Sequence, residues 1–175
     1  MLLQQINVYL NNLIDFQANL EANGHIYPCV IGKNGATHHK KEGDGKTPLG
    51  RWPMRHLFYR ADRLALPLSY LPTSAIAPDD GWCDDPNHPL YNQAVKLPFT
   101  ASHEKMWRED NLYDLVVVLG YNDAPIIPHR GSAIFWHLPQ QEGTGTAGCV
   151  ALALAAFLDI LPQCSADSVM NIIMV

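Results

Sequence analysis

A cysteine and a histidine stand close together in the last third of the chain, separated by small residues. Cys149 lies in the segment TAGCV, and His137 ends the apolar segment GSAIFWH twelve positions earlier. A thiol within reach of an imidazole is the pair used by cysteine nucleophiles, because the imidazole can remove the thiol proton. A strand, a glycine-rich loop and a helix N-terminus can bring two such residues together. Cys149 is therefore a candidate nucleophile, and His137 is its candidate base.

The residues after Cys149 favour a helix. Good helix formers run from Ala151 to Leu158, and Pro162 ends the run. We predict that Cys149 lies in the first turn of this helix, where unpaired N–H groups and the helix dipole stabilise a thiolate. Gly148 has no side chain, so backbone N–H groups here can approach a substrate oxygen and form an oxyanion hole.

The same pair also fits a structural interpretation. A cysteine among alanines is more often a small buried side chain than a nucleophile, and a histidine at a strand end is more often structural. The residues alone leave both interpretations open.

The composition is that of a folded protein. Of 175 residues, 47% are hydrophobic and 17% charged, and the net charge is -5, which argues against disorder and against nucleic acid as the main partner. At this length we predict one domain over residues 1–175. No apolar run reaches membrane-spanning length. The opening residues lack the basic start and continuous apolar core of a secretory signal, so the chain as written is expected to start in the cytoplasm.

The chain has four widely spaced cysteines: Cys29, Cys83, Cys149 and Cys164. Because no two of them form a CxxC pair, the spacing does not match a zinc site, and we predict four free thiols and no metal. His38 and His39 are predicted to be exposed loop residues, because adjacent side chains rarely face one ion.

Short segments separated by thirteen prolines and twelve glycines indicate a mainly β fold. We predict a hairpin at Asn23-Gly24, a strand in GRWPMRHLFYR, a buried strand in YDLVVVLGYN beside GSAIFWHL, and a last strand in SVMNIIMV. Residues about 61–110 carry few periodic signals, and we interpret them as an irregular insertion that forms functional surface or a lid.

The order of motifs along the chain matches that of a known family. One motif is a histidine followed by a loop and then by Ser/Thr-x-Gly-Cys and a hydrophobic residue, which resembles His137, its loop and TAGCV here. A second motif is a Thr-Pro-x-Gly turn before a strand, which resembles GDGKTPLGRWP. Both features resemble the L,D-transpeptidase catalytic-domain (YkuD-like) family. Four further segments resemble one branch of this family: GWCDDP, SHEKMW, YDLVVVLGYND and RGSAIFWH. The similarity covers nearly everything from Gly32 onward.

This resemblance implies an L,D-transpeptidase-like β-sandwich with a helix after the catalytic cysteine, no cofactor, and a location in the periplasm or cell envelope. It implies that the cysteine attacks the carbonyl of the third, diamino-acid residue of a peptidoglycan stem peptide and expels D-alanine. An amine or water then takes the acyl group. Carried onto this sequence, Cys149 is the nucleophile and His137 the base. The Leu138 carbonyl becomes the histidine's partner, and the N–H groups of Gly148 and Cys149 become oxyanion donors.

Two positions depart from the family motif. Ala147 stands where histidine is common, and Ala151 stands where an arginine usually follows the cysteine. Losing that arginine removes a cation that can hold a substrate carboxylate. We predict either that another cation replaces it or that the protein tolerates substrates without the usual carboxylate. Arg130 is the leading replacement, with Arg108 or Lys46 as the next choices.

Other residues in these motifs are candidate substrate contacts: Asp44, Trp82, Glu104, Arg130, Ser132 and Thr146. Ordinary alternatives exist for several of them. The glycines around Asp44 also fit a plain turn aspartate. Trp82 also fits a packing role, and Glu104 on a short helix would be solvated. Cys83 is a candidate redox neighbour of Cys149.

Three functions are compatible with these observations. The first is an acyltransferase of L,D-transpeptidase type that acts on stem peptides or muropeptides. The second is an L,D-carboxypeptidase or amidase, which shares the thioester and differs only in the nucleophile that resolves it. The third is a peptidoglycan-binding module without turnover, against which the intact Cys149–His137 pair argues.

Overall fold

Most of the chain is organised around one large β-sheet. A computed structural model describes residues 2–140 and 144–175. Within these residues the strands, in chain order, are β1 (Gln5–Leu10), β2 (Gln17–Ala22), β3 (His25–Val30), β4 (Ala36–Thr37), β5 (Thr47–Pro48), β6 (Gly50–Tyr59), β7 (Thr73–Ala75), β8 (Asp80–Cys83), β9 (Ala94–Lys96), β10 (His103–Lys105), β11 (Leu115–Leu119), β12 (Phe135–His137), β13 (Val150–Leu152) and β14 (Val169–Met174). The helix α1 (Leu154–Ile160) continues into a 3-10 turn at Leu161–Gln163. In this described part of the chain, no helix is long and apolar enough to cross a membrane.

The large sheet closes on itself. Its strand order is β11-β12-β13-β3-β2-β1-β14-β6-β7, and β6 also pairs with β11. Alternate residues of β1, namely Ile6, Val8 and Leu10, are buried in the core, as expected for a strand with one face inward. Helix α1 packs on the same core, because Phe157 stacks on Trp136 with ring centroids 3.9 Å apart.

Several predicted elements are confirmed, and the fold is mainly β as predicted. Strands β2 and β3 form the hairpin, and both turn residues have the positive φ that this tight turn requires, 52° at Asn23 and 79° at Gly24. Strand β11 is buried along its whole length and pairs with β12. Strands β6 and β14 lie in the predicted segments, whereas β1 was not predicted.

The helix after Cys149 begins later than predicted. Val150–Leu152 form β13, which pairs in parallel with β12 and antiparallel with β3. Strand neighbours on both sides satisfy the backbone polar groups and bury the side chains, and this outweighs the helix propensity of Ala151. Helix α1 starts only at Leu154. Cys149 therefore precedes a strand, and the prediction that a helix dipole acts on its thiol is wrong.

Residues 61–110 contain more regular structure than predicted. Strand β7 joins the large sheet beside β6, and β10, β8 and β9 form a separate three-stranded sheet. Met106 and Trp82 from this segment pack against Phe135 and Cys149 in a second apolar cluster. The segment therefore covers the outer face of β12. Strands of three or four residues are too short for hydrophobic periodicity to reveal them.

Candidate active site

Cys149 and His137 line one cleft of about 600 Å³. Strands β12 and β13 run parallel, and their register pairs His137 with Ala151. Paired residues project to the same face of a sheet, and side chains alternate along a strand, so Cys149 shares the face of His137. Both residues are buried, with Cys149 6% exposed and His137 4% exposed. The sheet therefore brings the predicted nucleophile and the predicted base to one site.

One hydrogen bond determines which nitrogen of His137 carries the proton. Its Nδ1 lies 2.6 Å from the carbonyl oxygen of Leu138. A carbonyl can only accept, so Nδ1 must donate and Nε2 keeps a lone pair. Burial lowers the pKa of His137 to about 4, although the bond to Leu138 opposes this shift. At neutral pH the imidazole is therefore uncharged and able to accept a proton at Nε2.

The thiol of Cys149 is protonated and hydrogen-bonded within the protein. Its Sγ donates to the carbonyl of Ala133 at 3.2 Å and accepts from the N–H of Phe135 at 3.3 Å. Burial raises the pKa of Cys149 to about 12, and the nearby carboxylate of Glu104 raises it further. The predicted thiolate is therefore corrected to a neutral thiol. In this conformation the thiol donates to Ala133 rather than to His137.

The loop before Cys149 is held by two threonine hydroxyls. Thr47 donates to the carbonyl of Gly148 at 2.9 Å, and Thr146 donates to the carbonyl of Cys149 at 2.7 Å. Gly148 has a φ of 143°, and a Cβ there would lie 2.9 Å from the carbonyl oxygen of Lys46, so only glycine fits. The Gly148 N–H, predicted as an oxyanion donor, donates to the Thr146 hydroxyl at 3.0 Å in this conformation.

Glu104 also belongs to the cleft. It lies on the strand β10 and not on the short helix that was predicted, because β10 pairs with β8. The hydroxyl of Tyr113 donates to its carboxylate, and the Tyr113 ring packs edge-on against His137 with centroids 5.4 Å apart. Burial raises the pKa of Glu104. Tyr113 thus connects the carboxyl group to the imidazole.

Ser132 and Asp44 lie close to the cleft in different roles. Ser132 lines it, and its hydroxyl donates to Glu42 at 2.7 Å. Asp44 does not line it. The Asp44 carboxylate accepts from the ammonium group of Lys40 at 2.5 Å and from the N–H of Lys46 at 2.9 Å, which holds the loop between β4 and β5.

Two predicted contacts, Trp82 and Arg130, lie outside the cleft. Trp82 packs edge-on against Phe135 with ring centroids 5.2 Å apart, and its indole N–H donates to Asn92 at 3.1 Å, so it supports β12 beside the cleft without lining it. Arg130 precedes the start of β12 by five residues and lines a different depression. Neither residue lines the cleft of Cys149, and a role for them in substrate binding stays a prediction.

The redox hypothesis for Cys83 gains no support from its position. Side chains alternate along β8, so Cys83 faces away from Trp82, which packs towards the face of β12 that carries the cleft. Among the described residues, Cys83 does not line the cleft. The described cysteines are free thiols, as predicted, and the exposed positions of His38 and His39 also match the prediction.

Three residues of the site carry little or no functional signal in the sequence. Thr47 lies inside the motif GDGKTPLG, which by itself indicates only a turn. Tyr113 begins the segment YDLVVVLGYN, just before β11. Lys40 follows two exposed histidines, and no local pattern indicates that it is 4% exposed and lines the cleft. The Thr-Pro turn was the only one of these signals that sequence reasoning could have used.

Cys149 is expected to be the first thiol alkylated by limiting iodoacetamide at neutral pH. Burial raises the pKa values of Cys29 and Cys164 to about 12 as well, so thiol acidity does not distinguish the three. Cys149 alone shares the cleft with an uncharged imidazole that can accept its proton. Peptide mapping after partial labelling measures the order. Preferential labelling of Cys29 or Cys164 would contradict the nucleophile assignment.

A buried thiol and a neutral imidazole that line one cleft of a mainly β fold define a cysteine–histidine site, the arrangement that cysteine-dependent enzymes use. A model of the L,D-transpeptidase catalytic domain (YkuD) matches residues 12–172. Because the match covers most of the chain, the protein belongs to this family, whose members act on the peptidoglycan of the cell wall. Among curated proteins no match was found.

Proposed function

We propose that this protein is a cysteine acyltransferase that acts on peptidoglycan stem peptides through a thioester on Cys149. The hydrogen bond from His137 Nδ1 to Leu138 carries the proposal, because it leaves Nε2 as a proton acceptor in the cleft of Cys149. Membership of the L,D-transpeptidase family supports a peptidoglycan substrate. The reaction needs no group beyond the residues of this chain.

In the first half-reaction, Sγ of Cys149 attacks the carbonyl carbon of the third stem residue while Nε2 of His137 takes the thiol proton. A thiol with a pKa of about 12 keeps its proton beside an imidazole with a pKa of about 4. Proton transfer therefore accompanies formation of the C–S bond and does not precede it. When the tetrahedral intermediate collapses, the imidazolium protonates the nitrogen of the leaving D-alanine. The C–N bond breaks, and the acyl group stays on sulfur.

In the second half-reaction, the amine of another stem attacks the thioester carbonyl and gives a proton to Nε2 of His137. The C–S bond breaks, and the sulfur of Cys149 recovers its proton from the imidazolium. Water in place of the amine gives hydrolysis with the same residues. The products therefore distinguish a transferase from a carboxypeptidase.

Mass spectrometry of the protein incubated with tetrapeptide muropeptides tests the proposal. We expect a tripeptide acyl adduct on the peptide that contains Cys149, together with free D-alanine. Cys149→Ala is the control and should give neither. A cross-linked dimer among the products identifies transpeptidation, and a free tripeptide identifies hydrolysis. A parent protein that forms no adduct and releases no D-alanine would contradict the proposal.

A further inference from the structure

Lys40 is a buried cation beside the nucleophile. Its side chain is 3% exposed, and it lines the same cleft as Cys149. The lysine stem passes close to two glycines. A Cβ on Gly131 would lie 2.9 Å from its Cγ, and a Cβ on Gly148 would lie 3.5 Å from its Cε. The end of the side chain is thus held next to the backbone that precedes Cys149.

The ammonium group of Lys40 is positioned by its own loop. It donates to Oδ1 of Asp44 at 2.5 Å and to the carbonyl of Lys41 at 3.0 Å. An ammonium has three N–H donors, so within the described residues one donor has no protein partner. Burial alone would raise the pKa of Asp44, but Lys40 and the N–H groups of Lys41 and Lys46 lower it. The carboxylate of Asp44 accepts from these two N–H groups as well as from Lys40. It therefore positions the Lys40 ammonium while using only one of that group's three N–H donors.

The two arginines named from the sequence are less suitable as anion-binding groups, and Lys33, which also lines the cleft, is exposed to solvent that screens its charge. Both oxygens of Asp110 accept from the guanidinium of Arg108, at 2.8 and 2.6 Å, in a fork that compensates its charge. Arg130 lies outside the cleft. Ala151 pairs with His137 and brings no charge. Lys40 also acts electrostatically on Cys149, where its charge lowers the pKa of the thiol against the larger effect of burial.

We propose that the Lys40 ammonium is the anion-binding group of the cleft and takes a carboxylate of the peptide substrate beside Cys149. The proposal rests on the proposed function. In this proposal Lys40 supplies the positive charge that an arginine at the position of Ala151 would otherwise supply. The N–H donor of Lys40 that has no partner among the described residues can form a charge-assisted hydrogen bond with a carboxylate that enters the cleft.

Alkylation of Cys149 by two reagents of different charge tests the proposal. Iodoacetate carries a carboxylate and iodoacetamide does not, so the ratio of their rates reports an anion-binding group near the thiol. The ratio does not depend on the thiolate fraction, because that fraction affects both rates equally. We expect Lys40→Met to lower the ratio about tenfold, and Lys40→Arg to keep most of it. An unchanged ratio in Lys40→Met would overturn the proposal.

Two further variants complete this test. Lys41→Met removes an exposed lysine from the same loop but leaves the backbone carbonyl that Lys40 uses, so its ratio should equal that of the parent. Asp44→Asn removes the charge that competes for Lys40, so its ratio should rise. If Lys40→Met does not fold, Lys40→Gln takes its place, and an unchanged ratio in that variant overturns the proposal.

The substrate itself provides a second readout. The parent should be acylated faster by a stem peptide with a free carboxylate than by its amidated form, and Lys40→Met should lose this preference. An equal preference in the parent and in Lys40→Met would contradict the role of Lys40. If the parent forms no acyl adduct with any stem peptide, the proposed function fails, whereas the alkylation ratio still tests the anion site.

Discussion

Replacing His137 by alanine is expected to slow acylation of Cys149 by a tetrapeptide stem by about 10² to 10⁴, the usual effect of removing a general base. The thiol of Cys149 has a pKa of about 12, so almost none of it is ionised at neutral pH without a base. Nε2 of His137 is the proton acceptor in the cleft because Nδ1 donates to Leu138. Adduct formation followed over time by intact-protein mass spectrometry measures the rate.

The control for His137→Ala must separate loss of the base from loss of the fold. The substitution removes one hydrogen bond to Leu138, worth about 1 kcal/mol, so the thermal transition should remain cooperative. Free imidazole added to the variant should restore part of the rate by entering the vacated space. His129→Ala changes a histidine that does not line the cleft and should acylate normally. A His137→Ala protein that reacts as fast as the parent would show that another group is the base.

Acid is expected to destabilise the parent by about 3 kcal/mol more than it destabilises His137→Gln between pH 6.5 and pH 4. Burial lowers the pKa of His137 to about 4 in the folded protein, against 6.5 in the unfolded chain. Between these values the unfolded chain binds a proton that the folded protein does not. The free energy of unfolding therefore falls as the pH falls through this window, and most of the loss has occurred by pH 4.

Urea unfolding of both proteins at pH 7 and at pH 4 measures this difference. Glu104 titrates in the opposite direction, because burial raises its pKa, but both proteins keep Glu104 and its contribution cancels in the comparison. Equal losses of stability in the parent and in His137→Gln would mean that His137 is not held neutral by burial.

The sequence by itself determined those parts of the fold that depend on only a few neighbouring residues. Asn23 and Gly24 predict a hairpin because both tolerate positive φ, and the structure has that turn. The apolar run of β11 predicts a buried strand because no face of it is polar. The histidine and the Gly-Cys motif likewise pointed to His137 and Cys149, which the sheet brings to one cleft.

Only the tertiary structure decided the conformation at Ala151 and the charge state of the thiol. Alanine favours a helix by itself, but β12 and β3 on either side hold this segment as a strand. The predicted thiolate was wrong because a pKa depends on which groups surround the thiol, and Glu104 comes from a segment about 45 positions earlier in the chain.

The identity of the cation proposed to bind the substrate also depends partly on the sequence and partly on the tertiary structure. The sequence by itself determined that Ala151 lacks the charge usual in the family, and it left Arg130, Arg108 and Lys46 as replacements. Arg108 does line the cleft, but its guanidinium is paired with Asp110. The structure also places Lys40 there, because the loop between β4 and β5 folds its side chain against Gly131 and Gly148. Contacts between residues about 90 to 110 positions apart decide this placement. Composition and periodicity report local preferences, so the sequence pointed to His137 and Cys149 as the candidate pair, and the fold determined the electrostatic surroundings of the two residues.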